Sequence, residues 1–135
     1  HKKQKKKMKI KLTLAAVAFD NKYDTFNKNR NSVLLHKDSL PNTFLLSEAS
    51  IDEALEKLCS KYLNFHFKWL DINLVDFRKL DDKTCEAIYF TQFPYSSGFN
   101  RLGTPTKLFG SDLEEKLGDY YLDTISRHTT RKFVL

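Results

Sequence analysis

Residues 50–62, SIDEALEKLCSKY, constrain the fold more than any other stretch because they predict an amphipathic helix with a defined start. Ser50 suits the N-cap position, and Glu53 three residues later completes an S-x-x-E capping box. The apolar positions that follow recur at intervals of three and four residues, at Ile51, Leu55, Leu58 and Tyr62. Such a helix buries one face, so the rest of the chain must supply the surface that it covers.

The segments around this helix predict a sheet and a second helix. Residues 42–49 are expected to form a loop that leads into the helix, and Trp69 is expected in the core or at an interface. The apolar pattern predicts strands at residues 10–19, 32–37, 64–77 and 84–93. A helix over residues 111–128 is predicted with a buried stripe of Leu113, Leu117, Tyr121 and Ile125. This order of elements is typical of an α/β domain.

Residues 42–64 resemble the signature of the Nudix hydrolase family. That signature reads Gly, five residues, Glu, seven residues, then Arg-Glu-apolar-x-Glu-Glu-x-Gly-apolar. With its first glutamate placed on Glu48, its first glycine falls on Asn42 and its apolar position on Leu58. The resemblance covers residues 10–128 and implies a Nudix-like α/β/α sandwich, with a mixed β-sheet between two helices.

The positions that hold metal in that signature carry other residues here. Lys57 takes one glutamate position, Ser60 and Lys61 take the glutamate pair, and Glu56 and Leu63 take the arginine and the second glycine. Hydrolysis of a diphosphate linkage needs carboxylate oxygens around a divalent cation, whereas a lysine ammonium repels the cation. The resemblance with these substitutions implies a non-catalytic relative, and we expect no catalytic residue, no metal and no cofactor.

Positive charge is concentrated at the start of the chain. The formal net charge is +6, yet the body of the protein is nearly neutral once the first eleven residues are set aside. We expect a basic arm at residues 1–9, a Nudix-like domain at residues 10–128 and a tail at residues 129–135. Lysines neutralise phosphates without regard to sequence, which predicts RNA as the partner. The candidate RNA-binding residues are Lys2, Lys3, Lys5, Lys6, Lys7, Lys9 and Lys11.

The altered signature and the ending DLEEKLGDYYLDTI are together similar to a non-catalytic branch of the Nudix family found in the large subunit of the mitochondrial ribosome. This similarity implies a structural role in an RNA–protein assembly, with ribosomal RNA and neighbouring proteins as partners. It also implies the mitochondrial matrix as the location, and otherwise the cytoplasm. Cys59 and Cys85 lie in apolar segments and predict free thiols in a reducing compartment. No run approaches the ~18 apolar residues of a membrane span, so no membrane partner is expected.

Residues 94–110 form the longest segment without a regular pattern and hold three of the four glycines. Tyr95, Phe99 and Arg101 are candidates there for stacking on a base or binding a phosphate. The alternative is a hydrophobic loop that packs on the surface.

Two other functions stay open. One is a nucleotide-sensing Nudix domain of a regulator, which binds a nucleotide through residues 95–101 without cleaving it. The other is a divergent hydrolase that uses Glu48, Glu53 and Glu56 in a rearranged site.

Overall fold

The computed structural model describes residues 8–19, 31–45, 50–93, 99–107 and 111–129. Six strands and three helices lie within these residues. In chain order they are β1 (Lys9–Phe19), β2 (Asn31–Leu35), β3 (Asn42–Leu45), α1 (Ile51–Tyr62), β4 (Asn73–Asp81), β5 (Thr84–Phe93), β6 (Thr104–Lys107), α2 (Ser111–Leu117) and α3 (Asp119–His128). None of these helices is long and apolar enough to cross a membrane.

Strand β1 is the centre of the sheet. It runs parallel to β5 along ten residue pairs, from Lys9 opposite Thr84 to Ala18 opposite Phe93. On its other side it is antiparallel to β3 in its first half and to β2 in its second half. The order of the remaining strands is β4-β5-β1-β2-β6, which makes a mixed sheet.

Helices cover both faces of this sheet. Alternate residues of a strand point to opposite faces, and Leu14 and Ala16 of β1 pack with Leu58 of α1. The alternate residues Ala15 and Val17 point to the other face. They pack with Leu113 of α2 and Ile125 of α3. Residues 12–18 are all buried as a result. The predicted α/β fold, with a mixed sheet between helices, is confirmed.

The start and register of α1 are as predicted. Ser50 is the N-cap, and its hydroxyl accepts a hydrogen bond from the Glu53 amide at 3.1 Å. Leu55, Leu58 and Tyr62 are buried, whereas Ile51, which was predicted to share their stripe, is 40% exposed. Ala54 and Cys59 complete the buried face. The first turn therefore projects beyond the sheet, and the core begins one turn later.

Two short strands were missed by the sequence prediction. Residues 42–45, predicted as loop, form β3, and residues 104–107 of the segment predicted to be irregular form β6. Each has only four residues, and each is held by one neighbour, β1 and β2 respectively. Pairing of this kind depends on distant residues, so a local pattern of four residues does not reveal it.

The single strand predicted over residues 64–77 is wrong in its first half. A 3₁₀ turn occupies Phe67–Trp69, and β4 begins only at Asn73. The His66 side chain caps this turn by accepting from the Lys68 amide at 3.2 Å. Phe65 and Phe67 pack beside the α1 cluster. Trp69 is 81% exposed, so of its two predicted places the core is wrong and an interface stays a prediction.

The helix predicted over residues 111–128 is broken at Gly118. This residue has φ +80°, a conformation that costs a glycine little and other residues more. Its amide closes α2 by bonding to the Glu114 carbonyl at 3.2 Å, and its carbonyl accepts from Leu122 at 3.3 Å as α3 begins. The predicted stripe still faces the sheet, since Leu113 and Ile125 are fully buried.

Candidate functional site

The exposed face of α1 carries the residues that the Nudix resemblance places at metal-binding positions. Glu56, Lys57, Ser60 and Lys61 are all exposed, while Leu58 between them is 4% exposed. The helix thus presents these side chains outward, with two ammonium groups one turn apart. Glu48, the first glutamate of the resemblance, lies outside the described residues. Across the described ranges, no three His, Cys, Asp or Glu side chains are grouped so that they could hold a metal ion.

The C-terminal end of α1 is joined to the segment around Phe99. The Asn100 side chain donates a hydrogen bond to the Lys61 carbonyl at 2.7 Å. The backbone amide of Asn100 donates to the Tyr62 carbonyl at 2.9 Å. Asn64 donates to the Phe99 carbonyl at 3.2 Å. The two bonds from Asn100 satisfy carbonyl groups that the end of a helix leaves without partners. An open depression of about 600 Å³ lies beside them, lined by Asn64, Phe99, Asn100, Arg101 and Leu102.

The three candidate ligand residues of this segment have different environments. Phe99 is buried and its ring packs edge-on against Phe93, with 5.4 Å between ring centroids. The Phe99 ring is therefore part of the hydrophobic cluster next to α1. Arg101 is exposed at the depression, and Tyr95 lies outside the described residues. A role for Arg101 in binding a ligand stays a prediction.

The other face of the sheet holds a buried carboxylate, which lies on the strand predicted over residues 84–93. Glu86 of β5 is fully buried. Its Oε2 accepts from the Thr13 hydroxyl at 2.6 Å and the Tyr121 hydroxyl at 2.7 Å, while its Oε1 accepts from Arg78 Nε at 3.0 Å. The Lys11 ammonium lies 3.9 Å from Oε2. The carboxylate therefore links β1, β4 and β5 to α3.

A second pair extends this cluster to the surface. The Tyr120 hydroxyl donates to Asp76, and the Arg78 guanidinium lies over the Tyr120 ring at 3.7 Å from its centroid. The hydrogen bond from Tyr120 holds the pKa of Asp76 below its usual value. Burial, together with the neighbouring Asp76 carboxylate, raises the pKa of Tyr120 to about 12. Both shifts favour the arrangement of a charged aspartate and a neutral phenol.

Two of the seven candidate RNA-binding lysines belong to the fold. Strand β1 begins at Lys9, one residue before the boundary expected at Ile10, and the Lys9 amide donates to the Lys83 carbonyl at 2.7 Å. Lys11 lies deeper in β1, where Glu86 partly neutralises its charge. The other five lysines of the arm lie outside the described residues.

Both cysteines are free, as predicted. Cys59 is fully buried in α1, and burial raises the pKa of its thiol to about 11. A thiol with this pKa is protonated near neutral pH, and the thiolate is the nucleophilic form. Cys59 is therefore a packing residue. Cys85 on β5 is half-buried.

Comparison with known proteins identifies the fold. No protein-family model matches the sequence, and no curated protein matches it. A mutT/nudix family protein from Listeria innocua superposes with a TM-score of 0.60 at 10% identity, over 93% of this chain and 92% of that chain. A chain in the complex between the C-terminal domain of mouse MUTYH and human PCNA gives 0.58 at 12% identity, over 96% of both chains. The chain has a Nudix fold.

A third structure differs in length. The MutT/nudix family protein from Enterococcus faecalis matches with a TM-score of 0.54 at 10% identity, over 78% of this chain, and this chain spans only 46% of its length. Identities this low establish the fold alone.

Removal of the Tyr120 hydroxyl should change how stability depends on pH. A folded-state pKa of Asp76 below the unfolded value of ~3.9 contributes stability above that pH, which is lost as the pH falls through the folded value. We expect Tyr120→Phe to raise the pKa of Asp76 and to flatten the acid limb of the stability curve. Carboxyl NMR titration and denaturation at several pH values measure both effects.

Tyr121→Phe is the matched control for this variant. Its hydroxyl bonds to Glu86 rather than to Asp76, so the pKa of Asp76 should stay where it is. An unchanged pKa of Asp76 in Tyr120→Phe would contradict the assignment of this hydrogen bond as the principal cause.

Proposed function

We propose that this chain is a non-catalytic Nudix-fold binding protein that serves as a structural component of an RNA–protein assembly, such as the large subunit of the mitochondrial ribosome. The observation that carries the proposal is the exposed face of α1, which presents Lys57, Ser60 and Lys61 to solvent. The Nudix resemblance assigns carboxylate ligands of a metal to these positions. The chain has the Nudix fold, but the residues at these helix positions are lysines and a serine where the Nudix signature has glutamates.

Electrostatics make that face a poor place for a divalent cation. Lys57 and Lys61 are four residues apart on α1 and therefore neighbours on one helix face. A cation held beside them would meet two like charges, and each unfavourable interaction rises as water is excluded. Glu53 and Glu56 are exposed on the same helix and suit a solvated surface of mixed charge. This arrangement favours binding to a partner over phosphate chemistry.

The position of the arm supports RNA as the partner. Five lysines, Lys2, Lys3, Lys5, Lys6 and Lys7, immediately precede β1, at the start of the central strand. A run of like charges without apolar residues has nothing to bury by itself, whereas RNA phosphates neutralise it. The body beyond the arm is nearly neutral, so the arm supplies the electrostatic attraction.

One solved structure supports a role in assembly. The chain that matches over 96% of its own length and of this chain comes from a complex between the C-terminal domain of mouse MUTYH and human PCNA. A domain of this fold and size thus occurs in a protein–protein complex. By analogy, we infer that neighbouring proteins are partners of this chain as well as RNA.

The second candidate is a protein that binds or hydrolyses a nucleotide. A bifunctional NMN adenylyltransferase/ADP ribose pyrophosphatase from Francisella tularensis, complexed with AMP and a manganese ion, shares the fold with a TM-score of 0.53 at 13% identity. In this chain such an activity would use Glu48, Glu53 and Glu56 as ligands, or Arg101 at the depression as a nucleotide contact. The two tests below separate these functions.

The first test concerns metal and turnover. Because lysines stand at the metal-binding positions, magnesium or manganese at millimolar concentration should leave the melting temperature unchanged, and nucleoside triphosphates and dinucleotides should not be turned over. Thermal shift and product chromatography measure these results. Metal-dependent hydrolysis that disappears in Glu48→Gln would show that the chain is a hydrolase.

The second test concerns the arm. Substitution of its five lysines by glutamine should abolish most RNA binding, because each lost phosphate contact removes counterion release. The wild-type affinity should fall steeply with salt and depend little on RNA sequence. The substitutions spare Lys9, so β1 and the stability of the domain should be unaffected, as denaturation can verify.

The matched control replaces five exposed lysines of the body by glutamine and should retain RNA binding. These are Lys37, Lys57, Lys61, Lys68 and Lys83. Equal losses in the two variants would show that the arm has no special role in RNA binding. Absence of RNA binding by the wild-type protein would reject RNA as the partner.

A further inference from the structure

Strand β4 forms one end of the sheet and exposes large apolar side chains. Within the described residues it pairs with β5 alone. Leu74 is 53% exposed, Phe77 is 54% exposed and Leu80 is 40% exposed, and the 81% exposed Trp69 precedes the strand. An unpaired strand edge with apolar side chains favours pairing with another strand. We propose that β4 pairs antiparallel with β4 of a second copy of this chain, so that the protein forms a two-fold dimer with a continuous sheet.

The sequence of β4 is complementary to itself when it pairs about its midpoint. The strand runs from Asn73 to Asp81, and Phe77 is its central residue. A two-fold axis at Phe77 places Asp76 opposite the partner's Arg78, and by symmetry Arg78 opposite the partner's Asp76. It also places Phe77 opposite the partner's Phe77, so that exposed apolar side chains meet. Opposite charges and apolar pairs directly across two strands stabilise a sheet.

Neighbouring registers lack this complementarity. Residues directly opposite each other lie on the same face of a continuous sheet. The two-fold axis must therefore pass between one residue and the same residue of the second copy. An axis at Asp76, at Arg78 or at Lys79 would place two identical charges opposite each other, which is destabilising. In the regular stretch of β4 from Asp76 to Lys79, Phe77 is the position that avoids this.

The backbone amide of Phe77 is a hydrogen-bond donor that is not used in the pairing with β5. It donates to the Asp76 side chain at 2.9 Å. A backbone amide that bonds to the preceding side chain can exchange that bond for one to a partner carbonyl at little cost in hydrogen bonding. In the proposed dimer the two Phe77 residues would exchange amide and carbonyl bonds across the axis, as hydrogen-bonded pairs in antiparallel sheets do.

Sedimentation equilibrium of the full chain tests the dimer. We expect a concentration-dependent dimer, and Phe77→Lys should weaken it by about tenfold or more because two like charges then face each other in place of an apolar pair. Phe44→Lys is the control, because Phe44 on β3 is 51% exposed and lies on a different strand. Circular dichroism verifies that both variants fold.

A wild-type protein that stays monomeric up to its solubility limit would overturn the proposal. Equal weakening by Phe77→Lys and Phe44→Lys would overturn it as well.

Disulfide cross-linking tests the register. Directly opposite residues have Cα atoms about 4.5–5.5 Å apart, within reach of a disulfide. Oxidised Phe77→Cys should therefore cross-link to its own copy at position 77, as mass spectrometry can verify. Leu74→Cys should not cross-link to itself, because six residues at about 3.3 Å each separate it from its own copy. Self-cross-linking of Leu74→Cys without that of Phe77→Cys would exclude the proposed register.

Discussion

The fully buried carboxylate of Glu86 is the interaction on which the arrangement of the sheet and the last helix depends. A buried charge without partners costs several kcal/mol, so the carboxylate requires each of the donors that reach it. These donors come from β1, β4 and α3, which are far apart in sequence. The hydrogen bonds of this one side chain therefore form together only when β1, β4 and α3 are all in place. In this way the cluster selects one position of α3 on the sheet.

The two faces of the sheet have different roles as a consequence. On one face, the charged cluster and the α2–α3 core hold the domain together. On the other face, α1 buries apolar residues beneath and presents lysines and glutamates to solvent. Strand β4 contributes side chains to both faces. Arg78 and Asp76 form bonds within the domain, whereas Phe77 is exposed to solvent.

Local patterns predicted the elements whose signals are local. The Ser50 cap, the register of α1 at Leu58 and the strand at Thr84–Phe93 followed from capping and periodicity. Gly118 is a signal for a break in the predicted helix. The apolar residues before and after Gly118 keep a helical period, however, and this period predicted one continuous helix. The turn at Phe67–Trp69 and the strands β3 and β6 depend on packing and pairing with distant residues. For the same reason, sequence alone does not reveal the partners of Glu86, which come from β1, β4 and α3.

The measurement that most directly tests this account is the unfolding free energy of Glu86→Ala. Loss of the carboxylate leaves Arg78 and two hydroxyls without their acceptor, so we expect a decrease on the order of 3–5 kcal/mol. Glu86→Gln should lose less, because its amide oxygen can still accept from Arg78 and its shape is retained. The exposed Glu56→Ala should stay within about 0.5 kcal/mol of wild type. A loss of less than about 1 kcal/mol in Glu86→Ala would contradict the central role of this carboxylate.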